Sequence, residues 1–309
     1  MRILFSFVAG NGHFQPLVPI ARATQSAGHI IAFACHVGMA PTVERAGFAT
    51  ISYGIPSDRA EALKPLHVFS REEIERKIAE RFMGEVAPDK ASHLIEVARD
   101  WRPNLIVCDD MDFGSVIAAE VLNIPYATVV VLAAGATLRA AFLGDAWSAA
   151  RAVHDLPPDP SLAAFHRYLT IAPVAPSFRD PAYPIPPTLH AVRPFDAPSK
   201  EAPPVTLDRS IPTVYFTLGT VFNTESGDLF GRILEGLSRL DVNVIVTVGG
   251  NRDPAVFGEQ PAHVLIKRYI PQRDLLPYCD LVVSHGGADT TIAALAHGIP
   301  LIATPLGAD

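Results

Sequence analysis

Cysteine is scarce: Cys35, Cys108 and Cys279 are the only three in 309 residues, and no two form a C-x-x-C pair. That spacing excludes a disulfide framework and a thiolate zinc site, and it fits buried free thiols in a reducing cytoplasm. Basic clusters are as rare. No run of Lys and Arg is longer than a pair and the net charge is −7, which argues against nucleic acid or an anionic membrane as the main partner. Hydrophobic runs are short: Ala127 to Leu138 is interrupted by Gly135, closed by Arg139, and stops before the ~20 residues that a membrane span requires. Met1 to Ala9 passes into Gly10-Asn-Gly12 without a small-residue cleavage pattern, so it reads as a first strand rather than a signal peptide. A soluble, cytoplasmic protein with small-molecule partners is expected.

What the chain has is apolar residue in quantity, 49% by count, enough for a large core and for two domains. Strand and helix patterns alternate. Ile3–Val8, Ile30–Cys35 and Ala49–Tyr53 read as strands around helical Pro16–Ala27 and Ala40–Ala46, and Leu105–Cys108, Phe113–Leu122 and Tyr126–Leu132 repeat strand, helix, strand. This is the doubly wound α/β pattern. Pro157–Pro204 is proline-heavy and weakly periodic, a semi-rigid connector. A second alternation follows, with strands at Thr213–Leu218, Val242–Val248 and His263–Lys267 and a helix at Asp228–Leu240. The expected domains are 1–202, including the linker, and 203–309. Ser57–Arg99 reads as a helical insert, with mixed charge that also suits plain solvated surface.

Leu281-Val-Val-Ser-His-Gly-Gly-Ala-Asp-Thr290 reads as a buried strand, a glycine turn and the start of a helix. Backbone N–H groups at Gly286, Gly287, Ala288 and Asp289 would meet the positive end of the helix dipole, a geometry suited to a diphosphate, and His285 adds a donor. The same turn also serves α/β proteins merely to change direction. Upstream stands Tyr269-Ile-Pro-Gln272 and downstream Pro305-Leu-Gly-Ala-Asp309.

Together these resemble the "WVPQ", "HGGxGT" and "PxGADQ" elements of the GT-B glycosyltransferases that use nucleotide-activated sugars, most closely the bacterial enzymes that decorate macrolides and other polyketides. The resemblance implies two Rossmann-like domains facing across a cleft, an acceptor-binding half at 1–202 and a donor-binding half at 203–309. It also implies that the second half is incomplete, since family members continue past this point. An open sheet edge with exposed apolar surface would follow, which a homodimer or a complementing chain would cover. On the donor side it implies Tyr269 as base-stacking aromatic, Gln272 as a base or ribose contact, the His285–Thr290 turn for the diphosphate, Gly219 and Thr220 beside it, and Asp309 on sugar hydroxyls. No metal or other cofactor is expected, because dipole and N–H donors take the place of magnesium.

For the acceptor side, Gly12-His-Phe-Gln-Pro16 puts His13 at the entrance of the first helix. A histidine titrating near ~6.5 suits a base at neutral pH, and "GHxxP" is where the family carries its base; capping the helix is the plainer role. Asp109 closes a strand and matches the acid that orients that histidine. Its neighbour Asp110 offers the same group, and a helix N-cap before Phe113 is the structural alternative for Asp109. Asp110-Met-Asp112 also spells the D-x-D of metal-dependent transferases, but on the acceptor half. Phe14, Phe69, Phe82, Phe113 and Phe142 would line an apolar acceptor pocket or else belong to the core.

Two positions depart from the family pattern. Asp289 replaces the usual glycine or asparagine, and a carboxylate ~4 Å from a phosphate is repelled by up to ~4 kcal/mol at an effective dielectric near 20 unless it turns outward and caps the helix. Ala293 stands where UDP-sugar users carry a glutamate on the ribose hydroxyls, which favours a dTDP-sugar donor. The expected activity is inverting sugar transfer to a hydroxyl of a hydrophobic aglycone. Among rivals, a nicotinamide dehydrogenase fails on Gln15 in place of the third glycine of G-x-G-x-x-G. A sugar-nucleotide epimerase of the same fold would carry acidic groups in place of the "GH" base. A degenerate or partial transferase that binds nucleotide or a partner without turnover is the alternative from a different class.

Overall fold

The computed structural model describes residues 1–8, 10–55, 64–132, 138–183, 185–193, 205, 207–219, 222, 225–250 and 252–307. They form two compact units, Met1–Ser57 with Arg71–Arg193, and Asp58–Ser70 with Pro194–Asp309. Thr220 and Asp309 lie outside the described residues, as does the expected boundary near Ala202.

The first unit is built on β1 (Arg2–Ser6), β2 (Ile30–His36), β3 (Thr50–Tyr53), β4 (Leu105–Asp109), β5 (Tyr126–Val129), β6 (Leu169–Ala172) and β7 (Leu189–Ala191), in sheet order β3-β2-β1-β4-β5-β6-β7 with every pairing parallel. Its helices are α1 (Asn11–Phe14), α2 (Val18–Ser26), α3 (Ala40–Arg45), α4 (Arg71–Lys77), α5 (Ala87–Trp101), α6 (Phe113–Val121) and α7 (Ala140–Ala152), with π-helical turns at Ile78–Val86 joining α4 to α5. Alternate strand residues feed opposite faces, as the two-residue repeat of a strand demands. Leu4, Ala32, Ala34, Ile106 and Cys108 pack on one side with α5, α6 and α7, while Ile3, Phe5, Phe33 and Val107 pack on the other.

The second unit carries β8 (Thr213–Thr217), β9 (Asn243–Thr247), β10 (Val264–Lys267), β11 (Leu281–Ser284) and β12 (Leu301–Ala303), in parallel order β10-β9-β8-β11-β12, with α8 (Leu229–Ser238), α9 (Gln272–Leu275) and α10 (Ala288–Ala296). Val214, Phe216 and Val246 enter one core and Tyr215, Ile245 and Val282 the other. The edges are β10 and β12; on β12 Ile302 is half exposed, as is Leu295 on α10.

Two readings are corrected. The insert is not helical throughout: residues 57–63 lie outside the described residues, residues 64–70, which start Lys64-Pro65, run without regular structure and belong to the second unit, and helix begins at Arg71. Pro65 denies the helix an amide, and Phe69 finds an apolar partner in Phe222, ring centroids 6.3 Å apart. The proline-rich stretch is more than a connector, since β6 and β7 extend the first sheet, their short apolar runs held between prolines. Of the two readings for the phenylalanines, the core one holds for Phe14 and Phe113, fully buried in different cores; Phe82 packs on the second of these, Phe69 packs on a core of the second unit, and Phe142 is half exposed under the Arg139 guanidinium. Among the described residues no helix is long and apolar enough to cross a membrane.

Candidate active site

In each sheet the strand order reverses once, between β1 and β4 and between β8 and β11, and ligands of open α/β sheets bind beyond the carboxyl ends of such a pair. Of the predicted residues, His13 and Asp109 stand at the first place, and Gly219, Gln272 and the His285–Thr290 turn at the second.

At the first, β1 leads into α1, where Gly10 takes φ +77° and its carbonyl accepts from the His13 and Phe14 amides at 3.3 Å. Phe14 anchors the turn, its ring 5.4 Å from those of both Phe7 and Phe33. His13, the residue before the anchor, keeps a quarter of its side chain exposed and brings Nδ1 to 3.1 Å from Asp109 Oδ1. Asp109 ends β4 and is completely buried. Its Oδ1 also accepts from the Met111 amide and its Oδ2 from the Val8 amide, each at 2.8 Å. A carboxylate can only accept, so a neutral imidazole in this contact would donate from Nδ1 and keep its lone pair on Nε2.

The neighbouring acids do other work. Asp112 is the N-cap of α6, accepting from the Ser115 amide at 3.2 Å, and so fills the capping role that the sequence left open for Asp109. It also pairs with Lys90 at 2.6 Å and accepts from the Ser6 and Ser115 hydroxyls. Asp110 Oδ1 accepts from the Val131 amide at 3.1 Å. Although part of the Asp110 residue stays accessible, its carboxyl is enclosed; burial first, then the Asp109 charge, pushes it up to about 7 against the pull of Val131 and His13. Among the described residues no group of three His, Cys, Asp or Glu is placed to share a metal ion.

The Asp110 shift has a consequence for stability. A carboxyl that binds its proton more tightly when folded contributes fully below the ordinary carboxylate value and loses that contribution as pH rises through the folded value. Relative to Asp110→Asn, the wild type is therefore expected to lose stability from about pH 4 to about pH 7. Denaturant titration of both proteins across that range checks this, and parallel pH profiles would contradict it.

At the second switch point Gly219 follows β8 with φ +71°, and a Cβ there would stand 2.6 Å from His285 Cε1. His285 follows β11 and packs between that glycine and Phe222, ring centroids 5.3 Å apart. Burial pushes its imidazole down to about 4, so it is neutral at ordinary pH, and Nδ1 is enclosed without a hydrogen-bond partner among the described residues. Gly286 takes φ +90°, in the left-handed region that glycine enters freely. Its amide is not left for an anion as the sequence suggested: it donates to Ser284 Oγ at 3.1 Å, while the Gly286 carbonyl accepts from Thr291 Oγ1. Gly287 is the N-cap of α10, which places Ala288, Asp289 and Thr290 in the first turn at the positive dipole end.

Gln272 and Thr290 are brought together, the amide Nε2 donating to Thr290 Oγ1 at 2.9 Å. Tyr269, three residues before α9, is 59% exposed. Ala293 is partly buried against the core. Sequence reasoning missed the support that residues 64–70 give this unit. The Phe69 amide donates to the Leu306 carbonyl at 2.8 Å, the Gly227 amide to the Lys64 carbonyl at 3.1 Å, and Lys64 pairs with Glu225. The signal available was Pro65 followed by the apolar Leu66, Val68 and Phe69.

The family model of the N-terminal domain of erythromycin biosynthesis protein CIII-like proteins matches residues 22–191, and that of their C-terminal domain matches residues 231–309. The chain is 29% identical to 4'-demethylrebeccamycin synthase of Lentzea aerocolonigenes over 97% of its own length and 82% of that protein. It is 28% identical to L-demethylnoviosyl transferase of Streptomyces niveus, covering 100% of this chain and 80% of the relative. Among solved structures, spinosyn rhamnosyltransferase SpnG complexed with thymidine diphosphate superposes with a TM-score of 0.79 at 20% identity, covering 99% of this chain and 81% of that one.

Proposed function

Because the chain belongs to the erythromycin biosynthesis protein CIII-like family and is a glycosyltransferase of GT-B fold, we propose that it moves a sugar from dTDP to a hydroxyl of a hydrophobic aglycone with inversion, His13 acting as base. The observation that carries this reading is the 3.1 Å contact between His13 Nδ1 and the fully buried Asp109. It supports the tautomer in which Nε2 can take the acceptor's proton, with Asp109 stabilising the imidazolium as it forms. The deprotonated hydroxyl oxygen attacks the anomeric carbon from the face opposite the diphosphate, the C–O bond to the diphosphate breaks, and the leaving charge goes to the nucleotide.

On the donor side α10 offers its dipole, and a neutral His285 can donate without adding a second fixed charge. Tyr269 offers a face for the base. Two observations support dTDP: Ala293 supplies no acid for a ribose 2′-hydroxyl, and thymidine diphosphate is what SpnG binds. We place the reaction in the cytoplasm, in keeping with three buried free thiols. Calorimetric titration is expected to show dTDP binding roughly tenfold tighter than UDP, the size of one lost or gained hydrogen-bonding group. Equal or tighter UDP binding would contradict the donor assignment. Asp289 in the first turn of α10 favours a second reading, nucleotide binding without turnover; that reading requires dTDP to bind and no glycoside to form.

A further inference from the structure

Lysine is almost never fully buried, yet Lys90 on α5 keeps only 3% of its surface. Gly114 on α6 makes this reach feasible: a Cβ there would stand 2.8 Å from the Ala87 carbonyl and 2.9 Å from Lys90 Cβ, so the glycine lets α5 approach closely. Lys90 Nζ then donates to Asp112 Oδ2 at 2.6 Å and to the Phe7 carbonyl at 2.5 Å, and lies 5.9 Å from the centroid of the Tyr53 ring. The second is unexpected for a simple counter-ion. Phe7 and Val8 share one peptide group, and its other end, the Val8 N–H, donates to Asp109 Oδ2 at 2.8 Å. One rigid amide is therefore held by the ammonium at its oxygen and by Asp109 at its nitrogen, and Asp109 in turn holds His13.

We propose that Lys90 is a positioning residue for the His13–Asp109 pair, acting through the Phe7–Val8 peptide group; its bearing on turnover rests on the reading of His13 as base. Peptide planarity means that fixing the carbonyl fixes the N–H as well. Hydrogen bonds in such a chain polarise one another, so the ammonium strengthens the Val8 donation that orients Asp109. Burial works against the Lys90 charge, but Asp112, with Tyr53 and Asp109, holds its pKa above the ordinary lysine value, so the donor is permanently charged. The ionisable groups around it are Asp112, Asp109, Tyr53, Cys35 and Cys108, while Asp109 and Asp110 face His13.

The discriminating variant is the double Lys90→Met/Asp112→Asn. It removes both buried charges together, and asparagine keeps the α6 cap, so a Lys90 that merely neutralises Asp112 is no longer needed. Ring ¹⁵N spectra of the full chain, with His13 assigned by His13→Gln, report the tautomer. The wild type is expected to carry the proton on Nδ1. In the double variant the Nε2–H form rises, and with dTDP-glucose and 4-methylumbelliferone as probes kcat falls ten- to a hundredfold, the usual effect of a misplaced catalytic group. KM for the nucleotide sugar stays unchanged, because none of these residues is in the donor unit. Lys90→Arg, which keeps a charged donor toward Phe7, retains the Nδ1–H tautomer.

An unchanged tautomer in the folded double variant overturns the proposal, as does wild-type kcat. Failure of the base reading shows separately, as full turnover by His13→Ala, and leaves the tautomer shift to decide the positioning role.

Discussion

His13→Ala lowers kcat by roughly 10²–10⁴, the range for losing a positioned general base, and leaves dTDP affinity and the melting temperature close to wild type. The split follows from where the side chain stands. A quarter of it is exposed and its neighbour Phe14, not His13, anchors the turn in the core, so truncation removes little packing. Gly219, Tyr269 and His285, the residues proposed to bind the donor, belong to the other unit. What disappears is the acceptor for the hydroxyl proton, and with it the attack of a deprotonated oxygen. Steady-state kinetics and dTDP calorimetry on the same preparation check both halves. Wild-type kcat, or a parallel loss of dTDP binding, would contradict the assignment.

Asp109→Asn is expected to cost activity and stability together. Both carboxylate oxygens accept from backbone N–H groups, Oδ2 from Val8 and Oδ1 from Met111, and Oδ1 also faces His13 Nδ1. An asparagine has one oxygen and one NH₂, so either rotamer sets a donor against a donor. If the oxygen stays toward Val8, the Met111 amide and His13 Nδ1–H lose their acceptor; if it turns, Val8 does. An unsatisfied buried donor costs about 1–3 kcal/mol, read as a lower denaturation midpoint. Turnover falls by at least as much as for His13→Ala's lower bound, about 10²-fold, because the imidazole loses the partner that selects its tautomer. A stable, fully active Asp109→Asn protein would show that the carboxylate neither holds the β1 loop nor orients the base.

Much of this was legible in the chain because it depends on local pattern. The runs Ile-Leu-Phe-Ser-Phe, Leu-Ile-Val-Cys and Leu-Val-Val-Ser read as buried parallel strands, and each proved to be one. Motifs at strand ends, His13, Asp109 and the His285 turn, could be placed because doubly wound sheets present their strand ends on one side. Contacts between distant segments were not legible. That Gly219 gives room to His285 depends on β8 and β11 being neighbours, and residues 64–70 support the second unit across a gap of more than 150 positions, as in the Lys64–Glu225 pair. Lys90 was invisible for a different reason. Among Asp89, Ser92 and His93 it reads as one more charge on a solvated helix face, and only the small residue at 114 on a separate helix draws it inside. β6 and β7 escaped notice because four- and three-residue strands between prolines carry almost no periodicity.

The measurement that bears most directly on sugar transfer by this site is the anomeric configuration of the product. The chain is incubated with α-linked dTDP-glucose and 4-methylumbelliferone, and the glycoside is examined by NMR, with His13→Ala alongside. A β-glycoside from the wild type and at least a hundredfold less from His13→Ala is the expected result. An α-glycoside, or equal product from both proteins, would contradict an inverting transfer that uses His13 as its base.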